Sequence, residues 1–230
     1  MTGRPSGRRT IRSFVRRTGR ITPAQHRALS ELWPQYGIAF SAQTLNLDEV
    51  FGRSAERVLE IGFGNGETLV HEASEKPEID FLGVEVHEPG IGHCLIDAQD
   101  AGLKNLRVIK HDAIEVLQQQ VGDAVLARIT LFFPDPWPKK RHHKRRMVQI
   151  SFLKLAASRL SPAGTLHIAT DWENYAEHID EVIAQSSEFT LAERCMHKGG
   201  FESLERQTTR FEKRGLRKGH SIWDWMLIRN

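Results

Sequence analysis

Short apolar segments alternate with segments of helical periodicity through the middle of the sequence, and this alternation constrains the fold more than any other feature. Apolar runs of strand length occur at 57–61, 79–86, 106–109, 125–133, 165–170 and 223–228. Segments typical of helices lie between them at 67–74, 92–101 and 113–120, and an apolar stripe at helical spacing runs through 147–160. This alternation predicts an α/β fold with a mostly parallel, twisted sheet and helices on both of its faces.

The length of 230 residues suits one domain with a full hydrophobic core and an additional arm. We expect a basic N-terminal arm at 1–30, flexible in part, and a single domain at 31–230. Thr22, followed by Pro23 and then by apolar residues, predicts a short capped helix within the arm. The arginine-rich start also has the composition of a transit peptide, but the predicted helix favours its retention in the working protein.

Acidic side chains stand at the carboxyl ends of the predicted strands. They are Glu60, Glu85, Asp112, Asp135 and Asp171. Because parallel strands end at one edge of a sheet, these carboxylates should converge there and repel one another unless a cationic or donor-rich ligand lies between them. Each acid taken singly is also a common helix N-cap. As a set, they favour a ligand site.

A glycine-rich turn follows the first of these strands. Its glycines, Gly62, Gly64 and Gly66, have the spacing Gly-x-Gly-x-Gly rather than the Gly-x-Gly-x-x-Gly that seats a pyrophosphate. Glu85 then stands where a carboxylate takes the two ribose hydroxyls of an adenosine. The combination favours a nucleoside with positive charge and no pyrophosphate, which describes S-adenosylmethionine.

The segment LFFPDPWPKKRHHKRR at 131–146 is the most specific in the chain. A buried strand leads to Asp135, which two prolines flank and restrict. Trp137 and a dense run of cations follow at once. A carboxylate that can accept from guanine, an aromatic surface and phosphate-binding cations together predict a site for RNA, although Trp137 is as readily explained by ordinary packing.

Positive charge is concentrated in three segments, although the net charge is only +3. Residues 1–30 carry +8, residues 139–146 carry +6 and residues 207–220 carry +4, which leaves −15 for the rest of the chain. Clustered Lys and Arg gain affinity for polyanions by releasing counterions. The distribution therefore predicts a polyanion-binding surface on an acidic body.

Six stretches resemble the bacterial tRNA (guanine-N7-)-methyltransferases, the family that acts on guanosine 46 in the variable loop. The matching stretches are 12–37, 59–66 (LEIGFGNG), 83–88 (GVEVHE), 132–146, 170–175 (TDWENY) and 208–225, which contains TRFEKRG. They span nearly the whole chain from residue 12. The resemblance implies a Rossmann-like class I methyltransferase fold and a single S-adenosylmethionine-dependent domain at 31–230.

The same resemblance implies roles for individual residues. Asp135 is the expected catalytic residue and, with Glu60, Glu85 and Asp112, a cofactor ligand beside Gly62, Gly64 and Gly66. Substrate contacts are expected from Lys139, Asp171, Thr209, Arg210, Phe211 and Glu212. RNA contacts are expected from Arg141, His142, His143, Lys144, Arg145 and Arg146. The expected partner is tRNA.

Other functions remain open on the residues alone. A methyltransferase acting on another RNA, on protein or on a small molecule would share the cofactor site, and a non-catalytic RNA-binding protein would share the basic segments. The glycine spacing disfavours a nicotinamide-dependent dehydrogenase. The oligomeric state is open, as monomer or homodimer.

The sequence also argues against several classes of site and location. The histidines lack a metal-ligand arrangement with Cys94 and Cys195, so we expect no metal. No apolar run approaches the roughly 18 residues that cross a bilayer, which argues against a membrane protein. Two cysteines without a disulfide framework point to a reducing compartment, so we expect a cytoplasmic protein.

Overall fold

The computed structural model describes residues 19–198 and 208–230. Most arginines of the predicted N-terminal arm, from Arg4 to Arg17, lie outside the described residues. Helix α1 (Pro23–Glu31) begins at the predicted cap, where Thr22 and Gln25 form a reciprocal capping box. Ala28 of α1 is buried in the core, so the predicted boundary at residue 30 falls inside a helix that packs on the domain.

The described strands form one sheet. Their bounds are β1 (Gly37–Ile38), β2 (Arg57–Ile61), β3 (Asp80–Glu85), β4 (Leu106–Lys110), β5 (Leu126–Phe132), β6 (Leu160–Thr170), β7 (Phe189–His197) and β8 (Ile222–Arg229). The order in the sheet is β1-β4-β3-β2-β5-β6-β8-β7. Strands β1 to β6 pair in parallel, and β8 pairs antiparallel with both β6 and β7.

Helices connect most of the strands. After α1 they are α2 (Trp33–Tyr36), α3 (Leu47–Phe51), α4 (Glu67–Glu75), α5 (Glu88–Asp100), α6 (Ala113–Gln119), α7 (Ile150–Arg159), α8 (Glu173–Ala184) and α9 (Arg210–Arg217). A 3₁₀ helix, which we call the basic 3₁₀ helix, covers Lys140–Arg145 between β5 and α7. In the described part of the chain, no helix is both long and apolar enough to cross a bilayer.

Two hydrophobic cores cover the two faces of the sheet. Successive strand residues divide between them, so Val58 packs with α1, α4 and α5 while Leu59 packs with α6, α7 and α8. This division follows from the period of two in a strand, which sends neighbouring side chains to opposite faces. The mostly parallel sheet with helices on both faces is therefore confirmed.

The chain order reverses around the central strand β2. From β2 the chain fills one side through β3 and β4, and then returns to fill the other side with β5 and β6. A crevice opens beyond the carboxyl ends of the strands at such a switch point. The predicted carboxylates lie in the last two residues of these strands, as Glu60 and Glu85 do, or just after them.

The structure differs from the sequence prediction mainly near the C-terminus. The strand predicted at 223–228 is antiparallel, and α8, β7 and α9 have no counterpart among the predicted elements. Helix α5 starts at Glu88 rather than at residue 92, with His87 as N-cap and a proline in its first turn. Proline suits this position because the first turn has no amide partner to lose.

Candidate active site

Three glycines turn the chain sharply between β2 and α4. Gly62, Gly64 and Gly66 have φ angles of 72°, 61° and 82°, a left-handed region that strains most side chains. A Cβ at Gly66 would also lie 2.5 Å from the Sγ of Cys94 on α5. Glycine at this site therefore allows both the turn and the close approach of α5, and leaves bare peptide groups at the crevice.

The carboxylate of Glu85, the last residue of β3, is held by backbone amides. It accepts hydrogen bonds from the amide nitrogens of Gly64 and His87, each at 2.9 Å. These bonds fix its orientation and join the end of β3 to the glycine turn. The amide of Val86 donates to Glu85 as well. An ionised carboxylate has about four acceptor positions, so Glu85 can still accept from a hydroxyl group of a ligand.

Glu60 is a buried carboxylate at the same edge. Its residue is 7% exposed, and no described residue donates a hydrogen bond to it or forms an ion pair with it. Burial, and then the neighbouring carboxylate of Glu72, raises the pKa of Glu60 to about 8, although Arg128 lowers it. A cationic ligand group would relieve this cost, because an opposite charge favours the ionised form.

Asp112 is a helix cap. Its side chain accepts a hydrogen bond from the amide of Ile114 at 2.8 Å and so begins α6. The capping explanation that the sequence allowed is therefore correct for this residue. Its half-buried carboxylate still lies beyond the end of β4, two strands from Glu60.

The loop that carries Asp135 has an unusual backbone. Phe133 and Trp137 have φ angles of 52° and 45°, a conformation that costs a bulky residue on the order of 1–3 kcal/mol. The amide of Phe133 donates to the carbonyl of Ala169 at 2.8 Å, which fastens the loop to the end of β6. Asp135 itself is exposed at the crevice. The loop thus presents the carboxylate from a constrained backbone.

Trp137 packs into this loop instead of offering a free ring face. It is 9% exposed, the Arg145 guanidinium lies 4.9 Å from its ring centre, and the edge of His142 meets it at 5.7 Å. The packing explanation therefore holds for Trp137, and the predicted stacking surface is not available there.

The predicted RNA-binding run divides into exposed and buried members. Lys139, Arg141 and Lys144 are exposed, and His142, His143 and Arg145 are half-buried. Arg146 is only 3% exposed, and it donates to the carbonyl of Pro136 at 3.0 Å and to Oδ1 of Asn174 at 2.8 Å. The expected RNA contact by Arg146 is corrected, because its guanidinium joins the Asp135 loop to α8.

The TRFE stretch begins helix α9. Thr209 is the N-cap, its hydroxyl accepts from the amide of Glu212 at 3.1 Å, and Glu212 reaches back to the amide of Thr209 at 3.4 Å. Glu212 is 1% exposed, whereas Phe211 is 57% exposed. Thr209 and Glu212 thus shape the helix start, and Phe211 and Arg210 remain exposed for a substrate.

Helix α9 lies directly on the crevice. A Cβ at Gly64 would be 3.7 Å from the Phe211 ring, and a Cβ at Gly215 would be 2.9 Å from Oδ2 of Asp171. Nδ1 of His220, just after α9, lies 3.1 Å from the same Asp171 oxygen. The structure therefore brings the predicted substrate residues Asp171 and Phe211 together with the glycine turn of the predicted cofactor site.

Buried polar groups join α9 to the sheet. Nε2 of His197 on β7 lies 3.6 Å from Oε1 of Glu212 and 3.7 Å from Oδ2 of Asp224 on β8. Asp224 also contacts His167 of β6 at 2.9 Å. The two His197 distances are those of ion pairs rather than hydrogen bonds, and they connect α9 to the antiparallel strands β7 and β8.

Comparison with curated proteins identifies the family. The chain is 52% identical over 216 residues to the tRNA (guanine-N(7)-)-methyltransferase of Nitrosococcus oceani, covering 94% of this chain and 89% of that protein. It is 51% identical over 228 residues to the enzyme of the same name from Shewanella amazonensis, covering 96% and 92%. The chain belongs to the tRNA (guanine-N(7)-)-methyltransferase family. The expected enzyme class is therefore confirmed.

A protein-family model and a solved structure agree with this membership. Residues 54–225 match the family model described as "Putative methyltransferase". The 16S rRNA (adenine(1408)-N(1))-methyltransferase from Catenulisporales acidiphilia superposes with a TM-score of 0.56 at 14% identity, covering 81% of this chain and 92% of that one. At this identity the likeness supports the fold, and it confirms the class I methyltransferase architecture.

The residues of this methyltransferase fit S-adenosylmethionine, the confirmed cofactor of the family. Glu60 is a buried carboxylate without a protein partner among the described residues, which suits a cationic group. Glu85 is oriented by backbone amides, which suits ribose hydroxyls. No group of three potential metal ligands occurs in residues 19–198 and 208–230.

Sequence reasoning overlooked two residues of this site. His220 and Gly215 contact Asp171, but neither belongs to a predicted element or to the predicted site. One sequence signal could have pointed to this region. The Thr-x-x-Glu pattern at 209–212 is a capping box, which predicts the start of a helix even without an apolar stripe.

Proposed function

We propose that this methyltransferase transfers a methyl group from S-adenosylmethionine to N7 of a guanine in tRNA, at guanosine 46 of the variable loop, and that Asp135 is its catalytic residue. One observation carries the proposal. Asp135 stands exposed in a constrained loop that is fastened to the end of β6 and continues directly into exposed cations. A carboxylate for the base and cations for the phosphates thus adjoin one another.

The cofactor side of the crevice is formed by Glu60, Glu85, Asp112 and the glycine turn. When bound, the donor supplies an electrophilic methyl carbon next to a sulfonium. Glu60 offers a buried negative charge to its cationic portion, and Glu85 offers oriented acceptors to its ribose. The bare backbone at Gly62, Gly64 and Gly66 permits close approach without a side chain in the way.

Asp135 has an orienting and electrostatic role in this proposal. Guanine N7 carries an in-plane lone pair and no proton, so attack requires no general base. Alignment of N7 with the methyl carbon supplies on the order of 7–11 kcal/mol when the reacting atoms are held in line. The carboxylate accepts from the N1 and N2 hydrogens of the base and favours the positive charge that develops on it.

The substrate side supports the proposal through two neighbouring groups. Phe211 lies where α9 meets the glycine turn, and Asp171 contacts α9 at Gly215. Arg210 is exposed at the start of the helix that Thr209 and Glu212 shape. Lys139, Arg141, Lys144 and Arg145 offer cations to phosphates, and His142 and His143 of the basic 3₁₀ helix offer ring nitrogens as hydrogen-bonding groups. Arg146 is left out of this set because it is buried.

The substitution Asp135→Asn tests the assignment. We expect the methyl-transfer rate to fall on the order of 100-fold, a magnitude typical of removing one electrostatic contact to a transition state. The affinity for tRNA should change less than about threefold, because the phosphate contacts dominate binding. Single-turnover methylation of an unmodified tRNA transcript, with filter binding, measures both quantities.

Asp100→Asn is the matched control, since Asp100 is exposed at the end of α5, away from the crevice. Borohydride–aniline cleavage maps the methylated base. Equal losses of rate and affinity in Asp135→Asn would contradict the orienting role, and a product methylated elsewhere than guanine N7 would contradict the proposed reaction. Binding of tRNA without any transfer would favour a non-catalytic RNA-binding protein.

We also place the protein in the cytoplasm. This location suits a tRNA substrate, and no disulfide joins its two cysteines, Cys94 and Cys195. Thiols of this kind persist where the compartment is reducing.

A further inference from the structure

Helix α9 has two faces of opposite character. Glu212 and Gly215 are buried against the sheet and Asp171, whereas Lys213, Arg214 and Arg217 are exposed. At 100° per residue these three cations fall within a 100° arc of the helix surface. The one acid of the helix is used in its capping box, so the exposed face carries only positive charge.

These cations have no anionic partner in the described part of the chain. No ion pair engages Lys213, Arg214 or Arg217, and Nε of Arg217 donates instead to the carbonyl of Lys213 at 3.2 Å. Lys213 and Arg217 are four residues apart, and like charges at that spacing repel. The C-terminus of a helix favours cations in its last turn. A bound anion would in addition relieve the repulsion between Lys213 and Arg217.

The β6–α8 junction places this face beside the other cationic element. Asp171 of the junction contacts His220 and Gly215 from α9. Asn174, three residues later, accepts from Arg146 at the end of the basic 3₁₀ helix. One segment of four residues therefore contacts α9 through Asp171 and the residue that follows the basic 3₁₀ helix through Asn174.

We infer that the exposed face of α9, formed by Lys213, Arg214 and Arg217, binds the ribose–phosphate backbone of the RNA substrate, as a second anchor opposite the basic 3₁₀ helix. This inference rests on the proposed function. A polyanion bound to both surfaces would also pass the crevice. Its binding to α9 would hold in place the helix that carries Phe211 next to the glycine turn. Charge complementarity selects this partner, because releasing counterions makes phosphate chains favourable ligands for clustered cations.

The double variant Lys213→Gln/Arg217→Gln tests the inference in the full chain. Glutamine keeps the helix propensity while it removes two charges. With an unmodified tRNA transcript, the slope of log affinity against log salt should become shallower by about 1.5, as for two lost phosphate contacts. The affinity at low salt should fall about tenfold. Filter binding over a range of KCl concentrations measures both.

Two further variants exclude trivial explanations. Lys104→Gln/Lys154→Gln removes two exposed lysines from the part of the protein remote from the crevice and should leave the slope unchanged. Lys213→Arg/Arg217→Lys keeps both charges on α9 and should restore the parental slope. A thermal melt of each variant reports whether it is folded.

The outcomes separate this inference from the proposed function. A parental slope in Lys213→Gln/Arg217→Gln, or an equal change in the control pair, would overturn the role of α9. Failure of the charge-preserving variant to restore the slope would overturn it as well. Failure of the parent protein to methylate guanine N7 would instead overturn the proposed function, whatever the slope of the variant.

Discussion

The carboxylates and the cations around the crevice are held in different ways. On the cofactor side, Glu60 is buried in β2, Glu85 accepts from backbone amides and Asp112 caps α6. On the proposed RNA side, Lys144 in the basic 3₁₀ helix and Lys213 in α9 are exposed. The acidic side is therefore organised by the fold before any ligand binds. The basic side presents exposed charge, which in our proposal is ordered by the RNA.

The largest expected effect concerns the cost of burying Glu60. Burial raises the pKa of Glu60 from its ordinary value of 4.5 to about 8, so the folded protein holds a proton that the unfolded chain releases. The free energy of unfolding should therefore fall by about 4 kcal/mol as pH rises from 4.5 to 8. In the Glu60→Gln variant, the free energy of unfolding should not show this decrease with pH. Chemical denaturation across this pH range measures the difference. Parallel profiles of unfolding free energy against pH for the two proteins would contradict a protonated Glu60 in the folded protein.

A second test compares two neighbouring arginines. Arg146→Ala removes a buried guanidinium with several carbonyl partners and should lower the free energy of unfolding by about 3 kcal/mol. Arg145→Ala should change it by less than about 1 kcal/mol, because this side chain is half-exposed and loses mainly a cation–π contact. Urea denaturation measures both.

The same two variants should separate in RNA binding. Arg145→Ala should make the salt slope of tRNA affinity shallower by about one, as for one lost phosphate contact. Arg146→Ala, assayed where it remains folded, should keep the parental slope. The reverse pattern would show that Arg146 leaves its buried position to bind RNA.

A further test concerns Glu85 on the acidic side. Glu85→Gln keeps the shape but removes the charge and one acceptor atom, and should weaken S-adenosylmethionine binding about 30-fold, which corresponds to about 2 kcal/mol. Isothermal titration of the donor measures it. Glu78→Gln, exposed before β3 at the opposite end of the sheet, is the control. Unchanged donor affinity in the Glu85 variant would remove Glu85 from the cofactor site.

The central strands could be read from the sequence, because parallel strands buried on both faces are nearly continuous apolar runs. Strand β2 occupies the predicted 57–61. Strand β7 could not, since most of its side chains are exposed and its residues alternate weakly. Helix α9 has no apolar stripe, so only its capping box predicts it from the sequence.

The site was predicted in its residue types and only partly in its geometry. Acids at strand ends follow from topology, which is why the sequence could place Glu60 and Glu85 at one edge of the sheet. The burial of Arg146 could not be foreseen, because it depends on Asn174 and Tyr175, which lie far along the chain. The contact of His220 with Asp171 likewise arises from the return of the chain after β7.

Strand β8 has a consequence for how the protein is made. It is the last strand in the chain, yet it lies between β6 and β7 in the sheet. Until residues 222–229 have been synthesised, β6 exposes an unpaired edge in the middle of the future sheet, and such edges promote self-association. The edge of β6 is therefore covered only once the segment 222–229 has been translated and inserted.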